Sequence, residues 1–211
     1  YPTTQGLFNK PTVVNNVETL AALHFILTNG GEAYRSIGTQ KSSGTKLISL
    51  DSFFKRPGIY EVEMGTPLAE VLFDMAGGFK TSVKALHIGG PLGGIVPVEK
   101  ISELTVDFES FANSGFLLGH ASVICIPLDF PMIRYLEHLF DFASFESCGK
   151  CFPCRLGTKR AYELLHKTAS SDYKISRELF DDLLSTLEQG SLCAHGGGIP
   201  LPAKNALHYF E

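Results

Sequence analysis

Several features that would assign this sequence to a special class are missing. No apolar run approaches the length that a bilayer span needs, so we expect no direct membrane insertion. The formal net charge of −4 gives no electrostatic reason to expect nucleic acid or an anionic membrane surface as a partner. Hydrophobic residues make up 44% and charged residues 19% of the chain, so neither share indicates disorder or a fibre. The 211 residues therefore predict a globular protein of one or two domains.

The chain also begins without an initiating Met, a signal peptide or a transit-like segment, since its first residue is Tyr1. We therefore expect a piece cut from a longer protein. The five cysteines are an odd number, and four of them fall in or near one motif region. This usage favours metal ligation in a reducing compartment over a disulfide framework. We expect a cytoplasmic protein, with peripheral attachment to the cytoplasmic side of a membrane complex as the alternative.

Three of the cysteines lie in the stretch ESCGKCFPCR, each separated from the next by two residues. Such a run lets one loop place the thiolates of Cys148, Cys151 and Cys154 around a common centre. Zinc ribbons usually draw their ligands as two separated pairs. A three-plus-one set suits a [4Fe–4S] cube, and Cys193 is the candidate for the fourth ligand. A structural zinc ion and a thiol redox site stay as alternatives.

Other residues near the cysteines have their own expected roles. Gly149 and the glycines at 196–198 would let the backbone approach a cluster, where its N–H groups could bond to sulfur. His195 could bring a positive charge near the cluster, or it could be a solvated side chain on a glycine-rich loop. Cys125 stands apart in an apolar run and is expected to be a buried structural residue.

The hydrophobic pattern divides the chain into three regions, 1–38, 39–129 and 130–211. The first contains a helix that begins near Asn15, whose capping-box partner would be Glu18, and ends at Gly30. The second has period-two strands, a helix opened by Thr66 and Pro67, and further strands. The strands are predicted at 45–50, 59–64, 85–88 and 121–126. The third region has four helices, with Pro153, Ser176 and Pro202 at the starts of the last three and Gly190 as a stop. The fold class is α+β, with a β-grasp-like unit followed by a four-helix bundle.

Two further patterns are given structural interpretations. IGGPLGGIVP (Ile88 to Pro97) lacks the Lys-Ser/Thr of a phosphate-binding P-loop, so we predict a tight turn in the β-grasp unit. Asp181 and Asp182 are adjacent on a helix and point in different directions. The seven histidines show no catalytic spacing. We expect the two aspartates and the histidines to lie at the surface.

The sequence resembles the flavin- and iron–sulfur-bearing NADH-oxidising subunits of respiratory complex I, NAD-reducing hydrogenases and NAD-dependent formate dehydrogenases. ESCGKCFPCR, GLFNKPTVVNNVET (Gly6 to Thr19), IGGPLGGIVP and SLCAHGGGIPLP (Ser191 to Pro202) match this family's motifs in order. The resemblance covers nearly the whole chain. The family's larger N-terminal flavin domain is absent from this sequence. It implies a [4Fe–4S] cluster on the four cysteines named above. It also implies that the middle region is a ubiquitin-like, soluble-ligand-binding β-grasp domain.

The same resemblance implies roles at the N-terminus. Val14, Asn15, Asn16 and Thr19 would contact FMN in the full-length protein, and Tyr1 would lie beside the nicotinamide of NADH. Residues 1–38 would be the tail of the FMN- and NADH-binding domain. They would form one side of that pocket, so the isolated chain is expected to bind neither cofactor and to be inactive.

The implied function is electron relay within an NAD(H)-dependent oxidoreductase. Electrons would pass singly between FMN and the iron–sulfur centres of a partner subunit. The run from Cys154 to Arg160 and the Ile-Pro-Leu-Pro stretch after Cys193 favour the β subunit of an NAD-dependent formate dehydrogenase. The alternatives are the complex I flavoprotein subunit, and a non-catalytic ligand-binding or scaffold module in which the cluster is structural.

Overall fold

The structure, a computed structural model, describes residues 1–210; Glu211, the end of the predicted helical region, lies outside them. Within this range the strands are β1 (Thr45–Leu50), β2 (Gly58–Glu63), β3 (Val83–Ile88), β4 (Gly94–Pro97) and β5 (Ser122–Pro127). The α-helices are α1 (Val17–Asn29), α2 (Gly31–Arg35), α3 (Phe108–Asn113), α4 (Met132–Phe145), α5 (Phe152–Ser170), α6 (Arg177–Gly190), α7 (Ala194–Gly198) and α8 (Pro200–Tyr209). Shorter helical segments are the 3-10 helices Leu7–Asn9 and Val98–Glu103 and the π-helix Glu70–Met75.

The five strands form one mixed sheet in the order β2-β1-β5-β3-β4. β1 pairs antiparallel with β2 and parallel with β5, whereas β3 pairs antiparallel with both β5 and β4. β4 is therefore an edge strand. The edge is covered by α8, where the side chain of Asn205 accepts a hydrogen bond from the backbone N–H of Ile95 at 3.1 Å. Covering an edge in this way satisfies backbone groups that would otherwise be free to pair with another chain.

The sheet has a hydrophobic core on each face. On one face, strand residues such as Ile48 and Leu86 pack with side chains that include Phe54, Leu72 and Phe111. On the other face, Ala85, Ile95 and Ile126 pack against the C-terminal helices. That second core contains buried residues of α4, α5, α6 and α8, among them Phe140, Leu165, Leu184 and Ala203. The C-terminal helices are thus held directly on the sheet.

Burial on both faces explains a strand that the sequence pattern does not reveal. All four residues of β4 are buried, so the strand has no alternation of polar and apolar positions. The sequence predicts only a tight turn for Ile88 to Pro97, and the turn occupies just the first part of that stretch. β1 agrees with the predicted range. The observed β2 and β5 are shifted from their predicted ranges by one residue at both ends, and β3 begins two residues earlier than predicted.

The capping box predicted for the first helix is wrong. Asn16 is the N-cap of α1, and its side chain accepts a hydrogen bond from the Glu18 N–H at 2.8 Å. Asn15 instead accepts from the N–H of Asn16. The Glu18 carboxylate forms an ion pair with Lys46 of β1, which is only 5% exposed. Glu18 therefore attaches α1 to the sheet. The predicted stop is confirmed, since α1 ends at Asn29 and Gly30 has a φ of 89°.

Several smaller predictions also need correction. Thr66 does not cap the predicted helix, because its hydroxyl donates to the carbonyl of Glu63. The helix itself is confirmed: helical residues begin at Leu68, directly after Pro67, and continue into the π-helix. The last helix begins at Pro200 and not at Pro202.

His87 is not a surface group, contrary to the prediction. It is 2% exposed, and its ring nitrogens lie 2.8 Å from the Tyr135 hydroxyl and 3.2 Å from the Gly93 carbonyl oxygen. Ser176 caps α6 as predicted, accepting from the N–H of Leu179.

Within residues 1–210, none of the helices combines the length and apolar character that crossing a membrane would require.

Candidate metal centre

Three cysteines occupy the connection between α4 and α5. Cys148 follows the end of α4 and is exposed. Cys151 is the N-cap residue of α5, and Cys154 lies in the first turn of that helix and is buried. The Pro at position 153 suits the first turn, where a missing N–H costs no hydrogen bond. One short loop and one helix start therefore present all three thiols.

The fourth cysteine comes from the connection between α6 and α7. Cys193 is exposed and is the N-cap residue of α7. The helix packs on the first turn of α5 at Gly196, which is buried. A Cβ at position 196 would lie 2.7 Å from the Cβ of Cys154 and 2.4 Å from the Oγ of Ser191. Only glycine allows this approach, and it holds Cys193 beside the other three cysteines.

The thiol of Cys154 is influenced by burial and by the other three cysteines. Its pKa is raised, mainly by burial and further by the charges of Cys151, Cys193 and Cys148. A hydrogen bond with Ser147 acts in the opposite direction. Together with the packing of Gly196 against Cys154, this places the four cysteines in one region of the protein.

Cys151 links the two cysteine-bearing segments. The backbone N–H of Leu192 and then that of Cys154 lower the pKa of its thiol. Leu192 directly precedes Cys193, so the α6–α7 connection lies close to the start of α5. N–H groups at a helix start stabilise a thiolate, which is the form that binds metal.

The hydroxyl of Ser147 adds a polar contact to the group. Its Oγ lies 3.3 Å from the Sγ of Cys154 and accepts a hydrogen bond from the N–H of Gly149. Gly149 has a φ of 76°, a left-handed conformation that glycine adopts without strain. With its oxygen accepting from Gly149, the Ser147 hydroxyl has its proton available for the Cys154 sulfur.

The donor set fits a [4Fe–4S] cluster. Among residues 1–210, no three Cys, His, Asp or Glu side chains converge closely enough to hold a single metal ion. A cube spreads its four thiolate ligands over separate irons and does not require one shared centre. In addition, the Oγ of Ser191 is buried without a hydrogen-bond partner, although it lies next to Cys154. An unpartnered hydroxyl beside the thiols is consistent with an acceptor that binds there.

His195 has a role that the sequence did not reveal. It lies in α7 and not in a glycine-rich loop, and its Nε2 is 2.8 Å from the carbonyl oxygen of Ala143. That carbonyl belongs to the last turn of α4, where the helix offers no partner of its own. His195 therefore ties α7 to the end of α4. Its electronic effect on a cluster stays a prediction.

Cys125 is buried, as predicted, and it lies in β5, away from the four clustered cysteines. Its backbone N–H donates to the Asp51 carboxylate at 2.7 Å. Burial and the nearby Asp51 raise the pKa of its thiol. A thiol held neutral in this way is poorly suited to bind a metal.

The residues expected at an FMN site lie on an exposed segment. Asn16 and Thr19 line a cleft of about 790 Å³ between α1 and the sheet. Lys46 and His120 also line this cleft. Tyr1, Val14 and Asn15 are exposed and do not line this cleft. The structure thus brings two of the five residues together at one concave surface.

Comparisons with known proteins identify the C-terminal part of the chain. Residues 134–211 match the family described as the NADH-ubiquinone oxidoreductase-F iron-sulfur binding region. Over its whole length the chain is 35% identical to the NADP-reducing hydrogenase subunit HndC of Solidesulfovibrio fructosivorans, covering 43% of that protein. It is 36% identical to an NADH-quinone oxidoreductase subunit of Salmonella typhimurium, covering 48% of that protein.

A solved structure is similar over the same extent. The crystal structure of an NAD+-reducing [NiFe]-hydrogenase in the H2-reduced state superimposes with a TM-score of 0.84 at 32% identity, covering 100% of this chain and 36% of the matched chain. The chain spans about half the length of the curated relatives it matches. Residues 134–211 therefore carry the [4Fe–4S]-binding region of that family, and the chain as a whole is similar to part of the subunits found in NADH-quinone oxidoreductases and NADP-reducing hydrogenases.

Proposed function

We propose that this chain is the electron-relay portion of an NAD(H)-dependent oxidoreductase subunit. Its [4Fe–4S] cluster is held by Cys148, Cys151, Cys154 and Cys193. When bound, the cluster supplies one-electron exchange between FMN of the full-length protein and an iron–sulfur centre in a partner subunit. The observation that carries this proposal is the packing of α7 on α5 at Gly196, which brings Cys193 to the segment that holds Cys148, Cys151 and Cys154.

The partial exposure of the thiols supports a cluster that transfers electrons over a cluster that is purely structural. Cys148 and Cys193 are exposed, whereas Cys154 is buried against the helices. A cluster on this set would have one side in the protein and one side near the surface. Electron exchange with another subunit requires such a surface approach.

The N-terminal segment supports the proposal that FMN and NADH bind in the full-length protein. Residues 1–27 contain no buried side chain, and many large apolar residues are exposed there. The exposed set is Tyr1, Leu7, Phe8, Val13, Val14, Val17, Leu20, Leu23, Phe25 and Leu27. Exposed apolar surface on this scale is expected where more protein packs. We therefore propose residues 1–38 as the tail of a flavin domain in which Tyr1, Val14, Asn15, Asn16 and Thr19 contact FMN or NADH.

We further propose residues 39–129 as the β-grasp domain and residues 130–211 as the helical cluster-binding bundle. Among the branches of the family, the residues from Cys154 to Arg160 and from Ile199 to Pro202 favour the β subunit of an NAD-dependent formate dehydrogenase. The complex I flavoprotein subunit is the second candidate. The partner that co-purifies with the full-length protein separates them: a molybdenum-containing subunit supports the first, and a quinone-reducing membrane arm supports the second. Cytoplasmic location, peripheral to a membrane in the second case, belongs to the same proposal.

Cysteine substitution tests the ligand set. Anaerobic reconstitution of the wild-type chain should yield about four irons and four sulfides. Cys→Ser at position 148, 151, 154 or 193 should lower both contents, and Cys125→Ser is the matched control that should not. Stoichiometric zinc in protein kept free of oxygen would contradict the proposal.

Redox titration separates a relay from a structural cluster. A cluster that cycles reversibly near the potential of the pyridine nucleotides supports electron relay. A cluster that loses iron on reduction supports the alternative, in which the chain is a scaffold or ligand-binding module.

A further inference from the structure

Ser191 has a buried hydroxyl without a partner. Its Oγ is the one buried side-chain nitrogen or oxygen atom within residues 1–210 that makes no hydrogen bond to the protein. Buried polar groups in folded proteins nearly always have a hydrogen-bond partner, so an unpaired buried hydroxyl requires an explanation.

The hydroxyl lies at the cysteine group. The Oγ of Ser191 and the Cβ of Cys154 lie 2.4 Å and 2.7 Å from the point where a Cβ on Gly196 would project. The next two residues are Leu192 and Cys193, so the hydroxyl lies two positions before a proposed cluster ligand. Ser191, the C-cap residue of α6, therefore lies beside Cys154 in the first turn of α5.

We propose that the Ser191 hydroxyl donates a hydrogen bond to a sulfur of the bound cluster, either the Cys154 thiolate or an adjacent sulfide, and thereby raises the reduction potential of the cluster. This inference rests on the proposed function, since it needs the cluster at these cysteines. Sulfur is the acceptor with which the buried proton can pair once the cluster is in place. Ser191 is a positioning and tuning residue and is not itself a ligand.

The direction of the effect follows from charge. Reduction adds one negative charge to the cluster, and hydrogen bonds to its sulfurs stabilise the more negative state. Removing one such bond favours the oxidised state. A net hydrogen bond of about 1 kcal/mol corresponds to about a fivefold change in the ratio of reduced to oxidised cluster at a fixed ambient potential.

The test compares Ser191→Ala with wild type and with Ser170→Ala in the full-length protein, purified and reconstituted without oxygen. Ser170 is an exposed serine at the far end of α5, about 24 Å along the helix from Cys154. Iron and sulfide are counted first, and the reduced cluster is then titrated by electron paramagnetic resonance. We expect full cluster content in all three proteins, and about a fivefold lower reduced-to-oxidised ratio in Ser191→Ala alone.

A second measurement detects the proton itself. Electron–nuclear double resonance of the reduced cluster in H2O and D2O should show one exchangeable proton coupling in wild type that Ser191→Ala lacks. An unchanged potential with an unchanged proton coupling would overturn the inference while leaving the cluster assignment intact. Loss of iron from Ser191→Ala, with full content in Ser170→Ala, would also overturn it, because the hydroxyl would then support the structure. If the wild-type protein takes up no cluster, the result contradicts the proposed function itself.

Discussion

Asn205 on α8 accepts a hydrogen bond from the backbone N–H of Ile95, and its side-chain amide donates to the carbonyl oxygen of Gly115, both at 3.1 Å. One side chain thus joins the last helix to the edge strand β4 and to the loop after α3. Asn205 is buried, so neither backbone group has ready access to water in its place.

We expect Asn205→Ala to lower the free energy of unfolding by about 2–3 kcal/mol, because it leaves two backbone groups without partners. Urea denaturation followed by circular dichroism measures the change. Asn29→Ala is the control: Asn29 is exposed on α1 and donates only to the carbonyl of Phe25. If both substitutions lower the free energy of unfolding equally, the two hydrogen bonds of Asn205 do not contribute the expected stability.

Two neighbouring glycines provide a matched test of the cluster site. A Cβ at Gly196 would be too close to Cys154 and Ser191, whereas at Gly197 its nearest neighbour would be the Glu188 carbonyl oxygen at 3.5 Å, an ordinary contact. Gly196→Ala should therefore reduce the iron and sulfide content and destabilise the fold by about 1–3 kcal/mol. Gly197→Ala should keep the cluster and leave stability unchanged or slightly higher. Equal cluster content in the two variants would contradict the close packing of α7 on α5.

His87 predicts a pH dependence of stability. Burial lowers the pKa of this histidine from 6.5 to about 4, partly offset by its hydrogen bond to the Gly93 carbonyl. Between pH 6.5 and about pH 4, the unfolded chain therefore binds a proton that the folded chain does not. The free energy of unfolding falls as the pH falls through this range. Between pH 7.5 and pH 5 the loss should be about 2 kcal/mol.

The measurement is urea unfolding of wild type and His87→Gln at several pH values between 7.5 and 5. His87→Gln should lower stability at neutral pH but remove most of the slope. His24→Gln, at an exposed position on α1, serves as the control. Parallel curves for wild type and His87→Gln would show that other groups set the pH dependence.

The N-terminal segment predicts weak flavin affinity for residues 1–211 taken alone. Asn15, Asn16 and Thr19 are exposed and offer contacts from one side only. A binding pocket normally surrounds most of its ligand, so calorimetry should show no FMN binding at micromolar concentrations. Tight binding would mean that the cleft beside α1 is already a complete site.

The cysteine group is the part of the site that the sequence predicts best. Three evenly spaced cysteines define a loop, and Cys193 after a helix stop supplies a fourth. The comparisons confirm the [4Fe–4S] region, while the four ligands individually stay a prediction. Ser191 carries no sequence signal, because its orphan state depends on how Gly196 lets α7 pack on α5.

Two of the errors in the fold prediction have a common physical origin. β4 and His87 are buried by helices that lie far away in the sequence, so neither has a local pattern that reveals its environment. α7 has no sequence signal because three glycines normally weaken a helix, and here packing against Cys154 overrides that propensity. β1, by contrast, alternates between buried and exposed positions, and its predicted limits agree with the observed ones.

The double-sided burial of β3 and β4 limits how this chain can be divided. A cut between residues 129 and 130 would leave Ala85, Ile95 and Ile126 facing water, since the helices now cover them. We expect the strand-rich half produced by such a cut to aggregate instead of folding autonomously. The C-terminal helices therefore cannot be exchanged for those of a relative on their own. A chimera would also need the sheet residues of that relative on which the helices pack.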